Sequence, residues 1–221
     1  MKRQTAVPLL AKPRRRFSAL TRTALAVLPL AALGLSVTQP AAAQSSWTVT
    51  NLGVLPNTDR SYPHNMDDTD PTNIKVVGNT VQTGTNSKYH GFYWNSATKT
   101  MVDIGVIGAG SYSEAYDVNS QGEAVGESAT TSTGGNNHAL YWNPSRGAGN
   151  PLDLAPEWPV SAAHSINENG IIVGRVYDPV QKNNFAACWI PTGYGSYGPT
   201  LVLPRPGDAG VTNSGSDKSS S

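Results

Sequence analysis

The sequence predicts an all-β protein made of tandem four-stranded repeats, arranged as a partial, open β-propeller or, alternatively, as a β-trefoil-like closure of three repeats. Short segments of alternating polar and apolar residues, bounded by Gly, Asn and Pro, recur along the chain, which is the pattern of half-buried strands. The pattern returns three times at intervals of about 48 residues. After residue 44 no segment shows the 3.6-residue apolar period of an amphipathic helix.

A Val-Gly pair and a Trp mark every repeat, and an Asn-x-x-Gly turn precedes the Val-Gly pair in the second and third repeats. Asn and Gly both tolerate left-handed backbone conformations, so this turn suits a tight connection between strands. Residues copied into every unit usually build the unit. The residues assigned to this structural role are Val77, Gly78, Trp94, Asn119, Gly122, Val125, Gly126, Trp142, Asn167, Gly170, Val173, Gly174 and Trp189.

The strands follow in the same order in the second and third repeats. The second repeat predicts strands at 113–119, 123–128, 138–142 and 151–154. The third predicts strands at 163–167, 171–176, 186–189 and 200–203. The first repeat has Asp67 in place of the turn Asn and a longer turn, and residues 47–53 before it match only a fourth strand.

Four strands per unit of this length fit one blade of a β-propeller, but closed propellers usually need four to eight blades. Residues 209–213 repeat the Ala-x-x-x-Asn spacing with which the second and third units begin. We therefore expect a fourth repeat that starts and does not continue, as in a shortened relative of a longer repeat protein. A homodimer with six blades would also protect the sheet edges.

The N-terminus predicts an export signal at residues 1–43, followed by a three-repeat β domain at 44–206 and an incomplete fourth repeat with a polar tail at 207–221. A basic region precedes the apolar run 24–37, and Ala41 to Ala43 supply a small-residue cleavage site. The apolar run is shorter than a membrane span requires. Arg14 to Arg16 leave both the Sec and the twin-arginine routes open. We expect a protein that is secreted, periplasmic or on the cell surface, and not membrane-spanning after cleavage.

Charge and cysteine content narrow the classes of partner. Seven of the 16 Lys and Arg residues lie in 1–43, which leaves nine against 15 Asp and Glu, or a net charge of about −6. Nucleic-acid binding needs a dense basic surface, so nucleic acid is not an expected partner. Cys188 is the sole cysteine, which rules out a disulfide within the chain, and its place beside a repeated Trp predicts a core residue.

The candidate sites are few. Asp67, Asp68 and Asp70 form the densest oxygen cluster, and such oxygens suit Ca²⁺, although the spacing fits no EF-hand and a solvated acidic loop is the simpler interpretation. His90 and His138 recur with the repeat, so a structural role is expected. The segment 126–130 lacks the second Gly of a nucleophile elbow. The sequence predicts no catalytic residue, no cofactor and no enzyme activity.

These marks together resemble the HAF family of extracellular repeat proteins. The family's strand motif appears as 90–92 and 138–140, its Asp-Leu-Gly-like strand as 103–105, and its Ile-Asn-x-x-Gly turn as 166–170. The third repeat departs from it, with Phe185 in place of His. The resemblance implies export and a repeat fold, and it implies no catalytic residue.

Two functional hypotheses follow. The first is an exported, non-catalytic repeat protein that binds an unknown protein or surface component, or serves as a scaffold. The alternative is an envelope glycan-binding or glycan-processing protein. That alternative requires exposed Trp94, Trp142 and Trp189 for stacking on sugars, or Asp67 paired with Glu123 or Glu168 across one cleft.

Overall fold

The part of the chain that the computed structural model describes comprises residues 49–85 and 88–204. These residues belong to one of the two units into which the chain divides, Thr48–Ser221. The predicted signal at 1–43 and the predicted incomplete repeat at 207–221 lie outside the described residues. Within 49–85 and 88–204, no helix has the length and apolar character needed to cross a membrane.

The described residues form three four-stranded antiparallel sheets and one small two-stranded sheet. Sheet A contains β1 (Thr58–Asp67), β2 (Lys75–Gln82), β3 (Tyr89–Asn95) and β4 (Thr100–Gly105). Sheet B contains β5 (Ser113–Val118), β6 (Ala124–Ala129), β7 (Asn137–Trp142) and β8 (Leu152–Asp153), with a 3₁₀ turn at Pro144–Arg146 before β8. Sheet C contains β9 (Ser161–Ile166), β10 (Ile172–Asp178) and β11 (Asn183–Trp189), then, after the hairpin β12 (Pro191–Gly193) and β13 (Ser196–Tyr197), β14 (Leu201–Val202).

Each large sheet is a meander in which strands that follow one another in the chain are neighbours. The prediction of an all-β chain with repeated four-stranded units is confirmed. The strand predicted at 47–53 is wrong for the described part, because residues 49–53 form no strand. The hairpin β12–β13 was not predicted. Among the described residues, no strand of one sheet pairs with a strand of another, and the three sheets do not close on themselves.

The apolar core lies between successive sheets. One cluster joins the β2, β3 and β4 side chains of sheet A to those of sheet B, and a second joins sheet B to sheet C in the same way. A third covers the remaining face of sheet A with residues of the 52–55 segment. Alternating side chains of one strand therefore face two different clusters, as a strand buried on both faces requires.

A serine at the start of the first strand fixes each junction between sheets. Ser113 Oγ accepts a hydrogen bond from Gly91 N at 2.9 Å and donates one to Gly105 O at 2.5 Å. Ser161 Oγ accepts one from Ala139 N at 2.8 Å. The first strand of each following sheet is thereby tied to the third strand of the sheet before it.

Candidate binding surface along the first strands

The glycine of each Val-Gly pair faces a bulge in the neighbouring first strand. In each sheet the pairing of the first and second strands skips the first-strand residue that follows the partner of this glycine, namely His64 in β1, Tyr116 in β5 and His164 in β9. A Cβ at the glycine would overlap the first-strand backbone, at 2.0 Å from Tyr62 O for Gly78, 1.8 Å from Glu114 O for Gly126 and 2.0 Å from Ala162 O for Gly174. Only glycine admits this approach. The Val-Gly motif thus marks the place where the first strand bulges.

The three bulged residues form a continuous row, here named the aromatic row: His64, Tyr116 and His164. The first strands of successive sheets contact one another. The Tyr116 ring stacks on the ring of His64 on one side and that of His164 on the other, with centroids 5.8 Å apart in both cases. Both histidines are exposed and Tyr116 is half-buried. Bulges commonly redirect a side chain beside a functional site.

One carboxylate ties the row together across all three sheets. Asp117 Oδ1 accepts a hydrogen bond from Asn65 Nδ2 of sheet A at 2.7 Å. Its Oδ2 accepts bonds from Ser165 Oγ at 2.6 Å and Ile166 N at 2.9 Å, both in sheet C. Charge-assisted bonds of this kind are the stronger ones. The aromatic row is therefore held in place rather than mobile on its strands.

Acidic groups surround the middle of the row. Glu114 and Glu127 stand opposite one another in the β5–β6 pair, an arrangement that like charges disfavour. Arg175 Nη2 lies 3.8 Å from Glu127 Oε2. Burial raises the pKa of Tyr116, and the carboxylates of Glu127 and Glu114 raise it further. Tyr116 accordingly remains protonated, and its hydroxyl interacts with the carboxylates of Glu114 and Glu127.

Two His-Asp pairs lie elsewhere, between the third and fourth strands. His90 Nδ1 is 2.9 Å from Asp103 Oδ2, and His138 Nδ1 is 2.7 Å from Asp153 Oδ2. The other oxygen of each carboxylate accepts a backbone N–H two residues on. The hydrogen bond to Asp103 raises the pKa of His90, against the opposing effect of burial.

The third repeat has apolar residues where the other two have a His-Asp pair. Phe185 takes the histidine position, and Val202 takes the aspartate position, since it pairs with Ala187 as Asp153 pairs with Leu140. Both members of the pair have been replaced together by apolar residues. The same two positions therefore hold a His-Asp pair in sheets A and B and an apolar pair in sheet C.

An open cleft of about 430 Å³ adjoins the first His-Asp pair. It lies between the 55–58 segment, the β3 residues Tyr89 and His90, and the loop at 110–111. Burial, then the charge of Glu114, raises the pKa of Tyr89 to about 12. Polar side chains, among them Asn57, Gln82 and Lys88, make up much of the lining of the cleft.

The predicted tryptophans are all buried. Trp94, Trp142 and Trp189 lie in the apolar clusters, and Trp142 Nε1 donates to Gly147 O at 2.7 Å. They offer no stacking surface to a sugar, so these three tryptophans lack the exposure that the glycan hypothesis would require of them.

The Asn side chain of each Asn-x-x-Gly turn accepts backbone hydrogen bonds within its own turn. Asn119 Oδ1 accepts the N–H groups of Gln121 and Glu123, and Asn167 Oδ1 accepts the equivalent pair in its own turn. Gly122 and Gly170 have φ values of 78° and 74°. Asn119 Nδ2 also donates to Asn167 O at 3.1 Å. The turns therefore link sheet B to sheet C as well as closing their own strands.

The carboxylates of the acidic loop, Asp67, Asp68 and Asp70, are not arranged around one common point. Asp67 is buried and its Oδ2 accepts a hydrogen bond from Lys75 Nζ at 3.0 Å. Burial acts to raise the pKa of Asp67, but hydrogen bonds from Thr69 and Lys75 outweigh it and lower the pKa. Asp70 caps Thr72, and Asp68 is exposed. The described residues contain no group of three or more His, Cys, Asp or Glu side chains placed to hold a metal ion.

The two glutamates considered from the sequence as partners for Asp67 each accept hydrogen bonds from other residues. Glu123 is buried and accepts hydrogen bonds from Tyr141 Oη and Asn119 Nδ2, both at 2.7 Å. Glu168 Oε2 accepts the hydroxyl of Ser120. Cys188 is half-buried on sheet C, and burial raises the pKa of its thiol, which does not favour the thiolate.

Sequence analysis did not single out the aromatic row. His64 and His164 lie three residues before the turn residues Asp67 and Asn167, and Tyr116 lies three before Asn119. That fixed offset was available in the sequence, but the bulge that exposes the position was not. A comparison of the chain with known protein families, curated proteins and solved structures finds no match in any of the three.

Proposed function

We infer that this chain is an exported, non-catalytic β-repeat protein that binds a protein or surface component through the aromatic row. The observation that carries the proposal is the alignment of His64, Tyr116 and His164 at equivalent bulges, tied together by Asp117. Scaffold positions of the repeat keep the same residue, such as the valine and glycine of each pair. The row is exposed and changes its chemistry from one repeat to the next, as a recognition surface does.

The chemistry of the row favours a particular kind of partner. The Tyr116 ring and the exposed imidazoles of His64 and His164 offer aromatic surface, and Glu114, Asp117 and Glu127 place negative charge beside them. A partner that presents basic or hydrogen-bond-donating groups complements this surface.

The arrangement of the sheets supports an open propeller as the architecture of this binding domain. Each blade of a propeller is a four-stranded meander, and each large sheet here has that order. A trefoil would require strands of different repeats to pair. The HAF resemblance and the apolar N-terminal run support export, so the expected partner is extracellular or in the cell envelope.

Binding of the purified exported form to bacterial envelope preparations, measured by biolayer interferometry, tests the proposal. The triple variant His64→Ala, Tyr116→Ala and His164→Ala should lose at least about tenfold in affinity. Tyr194→Ala, which removes an exposed tyrosine of the β12–β13 hairpin, is the matched control and should bind as the wild type does.

Equal binding by the triple variant would overturn the role of the row. A glycan array run in parallel assigns the chemistry of the partner. If the wild type binds defined glycans on the array and the triple variant does not, the partner is a glycan. If the wild type binds the envelope preparation but no glycan on the array, the partner is a protein.

A further inference from the structure

Sheets A and B each bury the face that is turned toward the next sheet, whereas the same face of sheet C is exposed. Val77 and Val125 are 0% exposed because the next sheet covers them, whereas the equivalent Val173 is 46% exposed. Leu203 is 39% exposed, whereas its counterparts Ile104 and Leu154 are 0% and 6% exposed. We name this surface the open face, and it comprises Val173, Ala186, Cys188, Ile190 and Leu203.

The opposite end of the sheet array is incompletely covered as well. Met66, in β1, is 57% exposed, whereas its counterparts Val118 and Ile166 are 6% and 7% exposed. The 52–55 segment covers the second and third strands of this face of sheet A, as Leu55 packs with Val76, Phe92 and Trp94. The first-strand part around Met66 remains open.

These two open surfaces are the two halves of one interface. Inside the chain, a second-strand valine packs in one cluster with the apolar residue of the next first strand: Val77 with Val118, and Val125 with Ile166. Among residues 49–85 and 88–204, no first strand packs on Val173 and no second-strand valine packs on Met66.

The polar groups that flank this interface are compatible across it too. At the two internal junctions, Asp117 accepts hydrogen bonds from Asn65 on one side and from Ser165 on the other. A further junction of the same kind would place Ser165 beside Asn65. Both side chains are neutral and each can donate or accept, so this approach brings no like charges together.

We propose that a second copy of this chain docks on the open face, placing its β1 and Met66 against Val173. Two copies joined twice in this way bring six sheets together, within the range of four to eight over which propellers close. The interface is head-to-tail within each contact and closes by a two-fold axis. It goes beyond the proposed binding function, and a junction of this kind also places His164 beside His64 of the second copy, which extends the aromatic row.

Sedimentation velocity of the exported form over a hundredfold range of concentration tests the proposal. The wild type should sediment as a dimer that dissociates on dilution. Val173→Asp and Met66→Asp should each sediment as monomers, because each buries an unpaired charge in the interface. Val180→Asp, at a fully solvated turn of sheet C, should remain dimeric.

Circular dichroism separates loss of association from loss of folding, since both residues are exposed within one copy and the variants should keep the wild-type spectrum. Monomeric wild type at every concentration would overturn the proposal.

Cysteine pairs test the direction of docking. In a Cys188→Ala background, Met66→Cys and Val173→Cys proteins should form an interchain disulfide when mixed, and neither should do so alone. A disulfide in Val173→Cys alone would show face-to-face contact and overturn the head-to-tail arrangement. Oligomers longer than two would overturn closure at six sheets.

Discussion

Sheets B and C are built from nearly the same motifs, yet their following faces lie in different environments. Val125 and Val173 occupy the same position next to the same glycine, and one is fully buried while the other is almost half exposed. The bulge opposite the glycine is present in both sheets. Features made within a sheet recur with the sequence, whereas burial depends on whether another sheet follows.

The largest expected effect concerns the glycine of the Val-Gly pair, which sheets B and C share. Gly126→Ala and Gly174→Ala should each destabilise the fold by about 3 kcal/mol, because the added methyl group overlaps the first-strand backbone and β-sheet packing leaves no room for it. Chemical denaturation measures the loss. Gly193→Ala, where nothing lies within 4 Å of the added Cβ, is the control and should change stability by less than about 0.5 kcal/mol. A mild effect at Gly174 alone would mean that the bulge depends on a neighbouring sheet.

The next effect should separate the two sheets. Val125→Ala removes buried methyl groups and leaves a cavity, at a cost of about 2 kcal/mol. Val173→Ala should cost about 0.5 kcal/mol or less, since water already reaches that side chain. Thermal denaturation at low protein concentration makes the comparison without a contribution from association. Equal losses would show that Val173 is covered in the isolated chain.

A smaller effect concerns the His-Asp pair that sheet C replaces with Phe185 and Val202. Asp153→Ala should destabilise sheet B by about 1–2 kcal/mol, because the part-buried His138 and the Ala155 N–H both lose their acceptor. The double variant His138→Phe and Asp153→Val copies sheet C and should lose less than the sum of its two single changes. A double-mutant cycle measured by urea denaturation gives the coupling. Strict additivity would contradict the interpretation of the pair as one interchangeable unit.

The smallest effect is a dependence of stability on pH through His90. Its pKa is raised above the ordinary value of 6.5 chiefly by the hydrogen bond to Asp103. The pair therefore stabilises the fold fully below pH 6.5 and loses that contribution as pH rises through the raised folded-state pKa. The effect should be small, because both side chains are partly exposed and screened by solvent.

NMR titration of His90 in the wild type and in Asp103→Asn measures this directly. The His90 pKa should fall in the variant, and the wild type should lose more melting temperature than the variant between pH 6 and pH 8. An unchanged pKa in the variant would assign the shift to another group.

The sequence predicted most of the scaffold because its elements are local. The second strand at 123–128 and the turn at 167–170 follow from alternation and from the Asn and Gly that close the connection. The hairpin β12–β13 was missed because its two strands are only three and two residues long, which is too short for alternation to register. The strand expected near 47–53 was wrong for the described part. Asn51 accepts a hydrogen bond from Gly53 N and so keeps the turn of its counterparts, but it does not form their strand.

The candidate site was harder to predict than the scaffold. Tyr116 is one of several tyrosines in the chain, and His64 and His164 belong to no motif that spacing alone marks as functional. What brings them together is a bulge at the same place in three first strands, and a bulge is a property of strand pairing rather than of local composition.

The sequence alone determined the strands, the turns and the repeat, since alternation, Asn-x-x-Gly and Val-Gly act within a few residues of one another. Tertiary structure alone decided which of the three equivalent valines is buried, which side chains meet in the aromatic row, and why the repeated glycine is a glycine. The physical reason is that these properties arise where one strand or sheet meets another, through steric overlap and loss of water contact. The Val-Gly pair shows both kinds of determination. Its spacing can be read from the sequence, whereas the need for glycine comes from the first-strand backbone that lies against it.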